Sequence, residues 1–152
     1  MNNNIQLRQV VKEDCDLIFE WVNDAECREN SINTAMISYE EHLNWFINKL
    51  NSKDCIMFLL FVDDQPVGQI RLQLDLPQAM ISYSVGARYR GHGYGKLLIQ
   101  LMEREVMKNE EIKYLRGIVK LQNIKSQNIF KEFGYKGTCY EDYIEYNKRI
   151  TR

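Results

Sequence analysis

Residues 90–95 read Arg90-Gly91-His92-Gly93-Tyr94-Gly95, a spacing suited to holding an anion. A residue without a β-carbon lets the backbone curl closely around a guest and adopt positive φ. Three glycines at alternate positions make a turn whose N–H groups can converge on one guest. The turn follows the apolar run Met80-Ile81-Ser82-Tyr83-Ser84-Val85. It opens a helix predicted from about Gly93 to Met107, in which Leu97, Leu98, Leu101, Met102 and Val106 recur at helical spacing. A helix start adds unpaired N–H groups and partial positive charge, so a pyrophosphate is the natural guest. Arg90 supplies a formal charge beside it. Two familiar phosphate signatures do not fit. The dinucleotide fingerprint needs G-x-G-x-x-G in a first βαβ unit, with an acidic residue roughly 20 positions on. A P-loop needs Gly-Lys-Ser/Thr, whereas Lys96 is followed by Leu97.

The surrounding sequence supplies the elements that position this turn. Ile5 to Val11 alternates apolar and polar residues as a half-buried strand does. Glu13-Asp14 opens a helix with Leu17, Ile18, Trp21 and Val22 on one face, and residues 25–37 read as a polar loop. Ser38 with Glu41 three positions on forms a capping box before the stripe Tyr39, Leu43, Phe46, Ile47 and Leu50. Ile56 to Val62 and Val67 to Leu72 flank the turn Asp63-Asp64-Gln65-Pro66, a hairpin. Tyr114 to Val119 reads as a strand. Asn123 caps a helix carrying Ile124, Ile129, Phe130 and Phe133 and closed by Gly134, and Thr138 to Ile150 supplies the last strands. The order β-α-α-β-β-β-α-β-α-β-β predicts an α/β fold, a mixed sheet with helices on both faces.

The 152 residues suffice for one domain with a real core, taken as residues 1–152, and are too few for two ordinary ones. A net charge of -1 argues against nucleic acid or an anionic membrane as partner. The Met1-Asn2-Asn3-Asn4 start lacks the basic and apolar regions of a signal peptide, so a cytoplasmic protein is expected. No apolar run approaches the ~20 residues of a membrane span. Cys15, Cys27, Cys55 and Cys139 are scattered, with His42 and His92 as the two histidines. Free thiols fit this pattern better than a metal site, and no metal is expected.

The order of elements, with the glycine turn after the fourth strand, resembles the GNAT N-acetyltransferase superfamily over essentially the whole chain. The family's Arg/Gln-x-x-Gly-x-Gly/Ala motif is matched by residues 90–95. Its Asn-x-x-Ser/Ala-x-x-Leu-Tyr-x-x-x-Gly-Phe signature is matched by Asn123, Ser126, Ile129, Phe130, Gly134 and Tyr135. The resemblance implies a sheet splayed between the fourth and fifth strands and acetyl-CoA as cosubstrate. N–H groups from about His92 to Lys96 would hold its pyrophosphate, and the pantetheine arm would run near Ser84 to Gly86. The N–H of Val85 would polarise the thioester carbonyl, and an amine would attack directly. The family's usual general acid is the Tyr of Leu-Tyr. Here Phe130 occupies that position and cannot donate a proton, leaving Tyr135, Tyr83 or a water. Met80 and Ile118 stand where many relatives carry Glu, so no carboxylate base stands out. Many relatives dimerise, which implies a homodimer.

The runs Trp21-Val22-Asn23-Asp24, Arg28-Glu29-Asn30-Ser31 and Ile37-Ser38-Tyr39-Glu40-Glu41-His42-Leu43-Asn44-Trp45 resemble one branch of that superfamily. It acetylates amino groups on UDP-linked sugars, as in pseudaminic-acid-type biosynthesis. A UDP-sugar needs a cation for its diphosphate, an aromatic plane and several hydroxyl partners. Arg28, Asn30, Ser31, His42, Trp45, Arg71 and Tyr83 are the candidates. As a functional group His42 would orient substrate or accept the ammonium proton; Trp45 and His42 read equally well as core residues of their helix, and Arg28 as one half of a surface ion pair. Competing acceptors are protein N-termini and aminoglycosides, although Arg28 and Arg71 argue against a polycation. A non-catalytic acyl-CoA sensor is the further alternative, supported by Phe130.

Overall fold

A computed structural model describes residues 4–152. Met1–Asn3, which belong to the start read above for targeting signals and to the 1–152 span, lie outside the described residues. The sheet comprises β1 (Ile5–Gln9), β2 (Cys55–Val62), β3 (Gln65–Asp75), β4 (Gln78–Val85), β5 (Tyr114–Lys120), β6 (Lys136–Cys139) and β7 (Tyr143–Arg149). Their order is β1-β2-β3-β4-β5-β7-β6, with β4–β5 parallel and the other pairs antiparallel. The helices are α1 (Cys15–Val22), α2 (Ala25–Glu29), α3 (Tyr39–Leu50), α4 (Tyr94–Val106) and α5 (Ile124–Glu132). The element order matches the sequence expectation, with two single-turn 3-10 helices (Lys12–Asp14 and Ala87–Tyr89) and α2 added, and α2 forms inside the segment read as loop. Asp24 caps it by accepting from the Cys27 N–H at 3.2 Å. Five residues are too short to carry an amphipathic stripe, so periodicity could not announce it.

Alternation along the strands divides the interior in two. Phe58, Leu60, Ile70, Leu72 and Ile81 face α4 and α5, packing with Leu98, Met102 and Phe130. Met57 and Leu59 face the other way, against Ile18 and Trp21 of α1 and Phe46 of α3. The helices therefore cover both faces of the sheet. The β2–β3 connection is a two-residue turn with Asp63 and Asp64 at φ 49° and 67°, the positive-φ geometry that matches the twist of a tight hairpin. No helix among the described residues is long and apolar enough to cross a membrane.

The feature that makes a site is the parting of β4 from β5. Their pairing runs from Gln78–Tyr114 to Ile81–Gly117 and stops there, while both strands continue. On its other edge β4 stays paired to β3 through Val85–Gly68, and the Gly86 N–H donates to the Val67 carbonyl at 2.8 Å. In an antiparallel ladder, alternate residues direct their N–H groups to opposite edges. Gly86, Ser84 and Ser82 thus serve β3, and the N–H groups of Tyr83 and Val85 turn into the opening.

Candidate functional site

The opening is a cleft of about 930 Å³ between the splayed strands, roofed by the segment joining α1 to α3. The glycine turn forms its mouth. Gly91 and Gly93 have φ of 83° and 81°, and Gly93 is the residue before α4. A β-carbon built on either meets nothing within 4 Å, so what requires glycine here is backbone conformation. The Leu97 N–H makes the first helical bond, to the Gly93 carbonyl at 3.2 Å. The N–H groups of Tyr94, Gly95 and Lys96 precede it without helical partners, a ready-made anion site. Lys96 adds charge, answered at the surface by Glu132 at 2.9 Å. These donors, with the Val85 N–H in the opening, fit a thioester carrying a diphosphate.

The far wall comes from α5. Asn123 accepts the Ser126 N–H at 3.3 Å, and the Ser126 and Tyr83 hydroxyls share a hydrogen bond of 2.7 Å. Burial pushes the Tyr83 phenol up to about 12, although its bond to Ser126 pulls the other way. The group therefore stays protonated, and either hydroxyl of the Tyr83–Ser126 pair can be the donor. Phe130 lies against Gly117, where a β-carbon would fall 2.6 Å from its Cζ, and stacks on Tyr146 with centroids 5.3 Å apart.

On the acceptor side the polar residues of β3 and β4 form one face: Gln69 bonds Ser84 at 3.1 Å, and Arg71 bonds Ser82 at 3.3 Å. Arg71 sits 4.8 Å over the Trp45 ring, and among the described residues no carboxylate pairs with it. Burial works against its charge and Cys55 in its favour, with a net lowering of its pKa. Gln69 and Ser82 were not singled out from the sequence. The period-two run Gln69, Arg71, Gln73 beside Ser82 and Ser84 was the signal that marks a polar sheet face.

Of the residues singled out, Arg28, Asn30, Ser31, Arg71, Tyr83, Ser84, Val85, Arg90, Gly91, Gly93, Tyr94, Gly95, Lys96, Asn123, Ser126 and Phe130 line this cleft. The structure corrects several roles. His42 is 2% exposed, with Nε2 bonded to the Cys15 carbonyl at 3.0 Å and its ring among Phe19, Trp45 and Phe46. It is a core imidazole, because the apolar stripe of α3 carries it inward. Burial pushes its pKa down, against a smaller upward pull from the Cys15 carbonyl. Tyr135 is buried behind Phe130, and its hydroxyl donates to Glu103 at 2.7 Å, a carboxylate that Lys148 also holds at 2.8 Å. It cannot reach a leaving group in the cleft.

Trp45 supports Arg71 from outside the cleft wall. The His92 side chain is exposed outside the lining and lies beside Tyr94, with centroids 5.7 Å apart. Arg28 lines the cleft, yet its guanidinium bonds the carbonyls of Val22, Asn33 and Ala35 and the Ser31 hydroxyl. It is neither a surface ion pair nor free to grip a ligand with its full fork. The Arg90 guanidinium is taken by Asp24 and by Glu26, the latter at 2.8 Å. Burial raises the Asp24 carboxyl, but Arg90 and the Cys27 N–H outweigh it and hold its pKa below the usual range. Among the described residues no cluster of three or more His, Cys, Asp or Glu side chains could hold a metal ion.

A family model described as an acetyltransferase (GNAT) domain matches residues 4–136. Acetyltransferase PseH of Campylobacter jejuni subsp. jejuni is 25% identical over 131 residues, spanning 86% of this chain and 80% of that protein. Among solved structures, spermidine N-acetyltransferase from Vibrio cholerae, in complex with CoA and spermine, superposes with a TM-score of 0.86 at 14% identity, covering 95% of each chain. RimL, a ribosomal L7/L12 alpha-N-protein acetyltransferase in complex with coenzyme A, gives 0.83 at 16% identity, over 96% of this chain and 94% of its own.

Proposed function

The chain belongs to the GNAT acetyltransferase family, and from that membership we propose that it acetylates the 4-amino group of a UDP-linked amino-deoxy sugar. The enzyme is an acetyl-CoA-dependent N-acetyltransferase; the sugar nucleotide is the finer reading. The observation that carries it is Arg71, a cation in the floor of the acceptor side that no carboxylate among the described residues answers. Such a group attracts a diphosphate and repels a polycation. Arg28, likewise without a carboxylate among the described residues, adds positive potential. The likeness to Acetyltransferase PseH supports the same direction.

In this mechanism the N–H groups of Tyr94, Gly95 and Lys96 hold the coenzyme's diphosphate. The Val85 N–H donates to the thioester oxygen as it becomes an oxyanion, and one such donor is typically worth ~3 kcal/mol. The amine attacks the thioester carbon directly and the C–S bond breaks, CoA leaving as its thiolate while the proton shed by the amine nitrogen passes to water. Cys27, whose thiol burial pushes up, stays a neutral wall atom and forms no covalent intermediate. Tyr83 donates a hydrogen bond to the departing sulfur, the service Phe130 cannot perform. Residues 1–152 act as one catalytic domain.

The test is calorimetric titration of UDP into the protein saturated with CoA. Binding that Arg71→Gln weakens at least about tenfold supports the reading, and no measurable binding of UDP refutes it.

A further inference from the structure

The roof of the acceptor side, residues 22–37, is braced internally. Asn23 accepts the Ile37 N–H at 2.8 Å and donates to the Ile37 carbonyl at 2.6 Å. Arg28 gathers the carbonyls of Val22, Asn33 and Ala35. This strap reaches both arms of the splayed sheet. On the β5 side, Lys120 and Gln122 both donate to the Glu29 carbonyl, at 2.9 and 3.1 Å. On the β4 side, Arg90 binds Asp24 and Glu26 at the start of α2.

We propose that Arg90 is a positioning residue for the acceptor site, fastening the strap to the cofactor turn, and not a ligand of the coenzyme's diphosphate. The proposal rests on the acetyltransferase reading of the cleft. Its electrostatics favour the strap. Two carboxylates, the cap of α2 and a residue of its first turn, converge on the guanidinium, whose side chain is 27% exposed. Moving Arg90 onto a diphosphate would leave both carboxylates facing an anion with no cation between them. The first-turn N–H groups of α4 and Lys96 supply the diphosphate's donors without it.

The consequence lies on the acceptor side. α2 carries Cys27 and Arg28 on the cleft wall, with Asn30 and Ser31 just beyond. Its N-terminal end is held by Arg90 and its C-terminal end by Lys120 and Gln122. Releasing one end lets that wall drift from the thioester. The amine is then held less well while the coenzyme is held as before.

Asp24→Asn/Glu26→Gln isolates the charge, because Asn caps a helix as well as Asp does. Hydrogen exchange of residues 22–37 and calorimetric binding of CoA are read on wild type, this double variant, Arg90→Gln and Arg90→Lys. The expected result is strap exchange about tenfold faster in the double variant and in Arg90→Gln, with Arg90→Lys close to wild type. Combining Arg90→Gln with the double variant adds nothing further, as expected of one shared interaction. CoA binds the double variant at least as tightly as wild type. For an amine the wild type turns over, the amine KM rises about tenfold while the acetyl-CoA KM stays within about twofold. Strap exchange unchanged in Arg90→Gln and in the double variant overturns the proposal, as does CoA binding weakened in the double variant. Wild-type protein that binds no CoA refutes the reading of the cleft, while strap exchange still scores the latch.

Discussion

Gly93→Trp separates the glycine turn's conformational role from its role as a binding surface. Gly93 sits at φ 81°, ψ 12°, and a β-carbon there meets nothing within 4 Å. The fold therefore has room for a β-carbon there, and the backbone cost is the left-handed conformation, about 1–2 kcal/mol for a residue with a β-carbon. Loss of glycine's freedom in the unfolded chain offsets roughly 0.4–1 kcal/mol of that. The net is about 1 kcal/mol of destabilisation, or roughly 2–4 °C in Tm for a chain of this size. Gly93 lines the cleft immediately before the first-turn N–H groups, so the indole is expected to compete with the diphosphate for that space. In wild type, acetyl-CoA at about 100 times its Kd adds ~2.7 kcal/mol, a rise of roughly 5–11 °C. If the variant's Kd is about 100-fold higher, the same concentration adds only ~0.4 kcal/mol, a rise of roughly 1–2 °C. Differential scanning calorimetry with and without acetyl-CoA reads both effects. A variant that melts like wild type refutes the strain argument, and an undiminished ligand shift refutes the assignment of the turn to the diphosphate.

Other substitutions probe the rest of the site. Arg71→Gln should cut kcat/KM for a UDP-sugar by about 10- to 150-fold, the equivalent of ~1.5–3 kcal/mol for a charged hydrogen bond, with acetyl-CoA KM unchanged. Tyr135→Phe should lower stability by about 1 kcal/mol through the lost bond to Glu103 and leave kcat alone, and a collapse of kcat would return Tyr135 to the chemistry. His42 has a folded pKa below its unfolded value near 6.5. The unfolded chain thus takes up a proton first as the medium is acidified. Its contribution to stability is whole above about pH 6.5 and lost as pH falls below that value. His42→Gln should flatten urea-unfolding stability against pH across that window, and an unchanged slope would place the titration elsewhere.

What could be read from the chain was what depends on neighbours in sequence. The glycine turn, the Asn123 cap, the Ser38 cap and the Asp63-Asp64 turn all follow from residues a few positions apart, where backbone geometry is decided locally. The parting of β4 from β5 came through family resemblance, since no local pattern says where two strands stop pairing. The misassigned side chains share a different cause. His42 and Tyr135 are polar residues whose partners, the Cys15 carbonyl and Glu103, lie 27 and 32 positions away. Arg90 meets Asp24 across 66 positions. Residue type made each a candidate; only the path of the chain shows that each is already engaged. Arg71 was legible as a cation on the strand next to the one that leads into the glycine turn, a placement set by the hairpin order whatever its distant contacts.

The cation Arg71, unanswered by any carboxylate among the described residues, favours as acceptor an amino sugar carried by a nucleotide diphosphate. The most direct measurement is CoA-thiol release from acetyl-CoA against UDP-4-amino-4,6-dideoxyhexoses, an aminoglycoside, spermine and short peptides in parallel. Turnover is expected on the sugar nucleotides, at a kcat/KM above that of every other amine and sharply reduced in Arg71→Gln. Preferred turnover of the polycations or peptides, or turnover of the sugar nucleotides indifferent to Arg71, would contradict it.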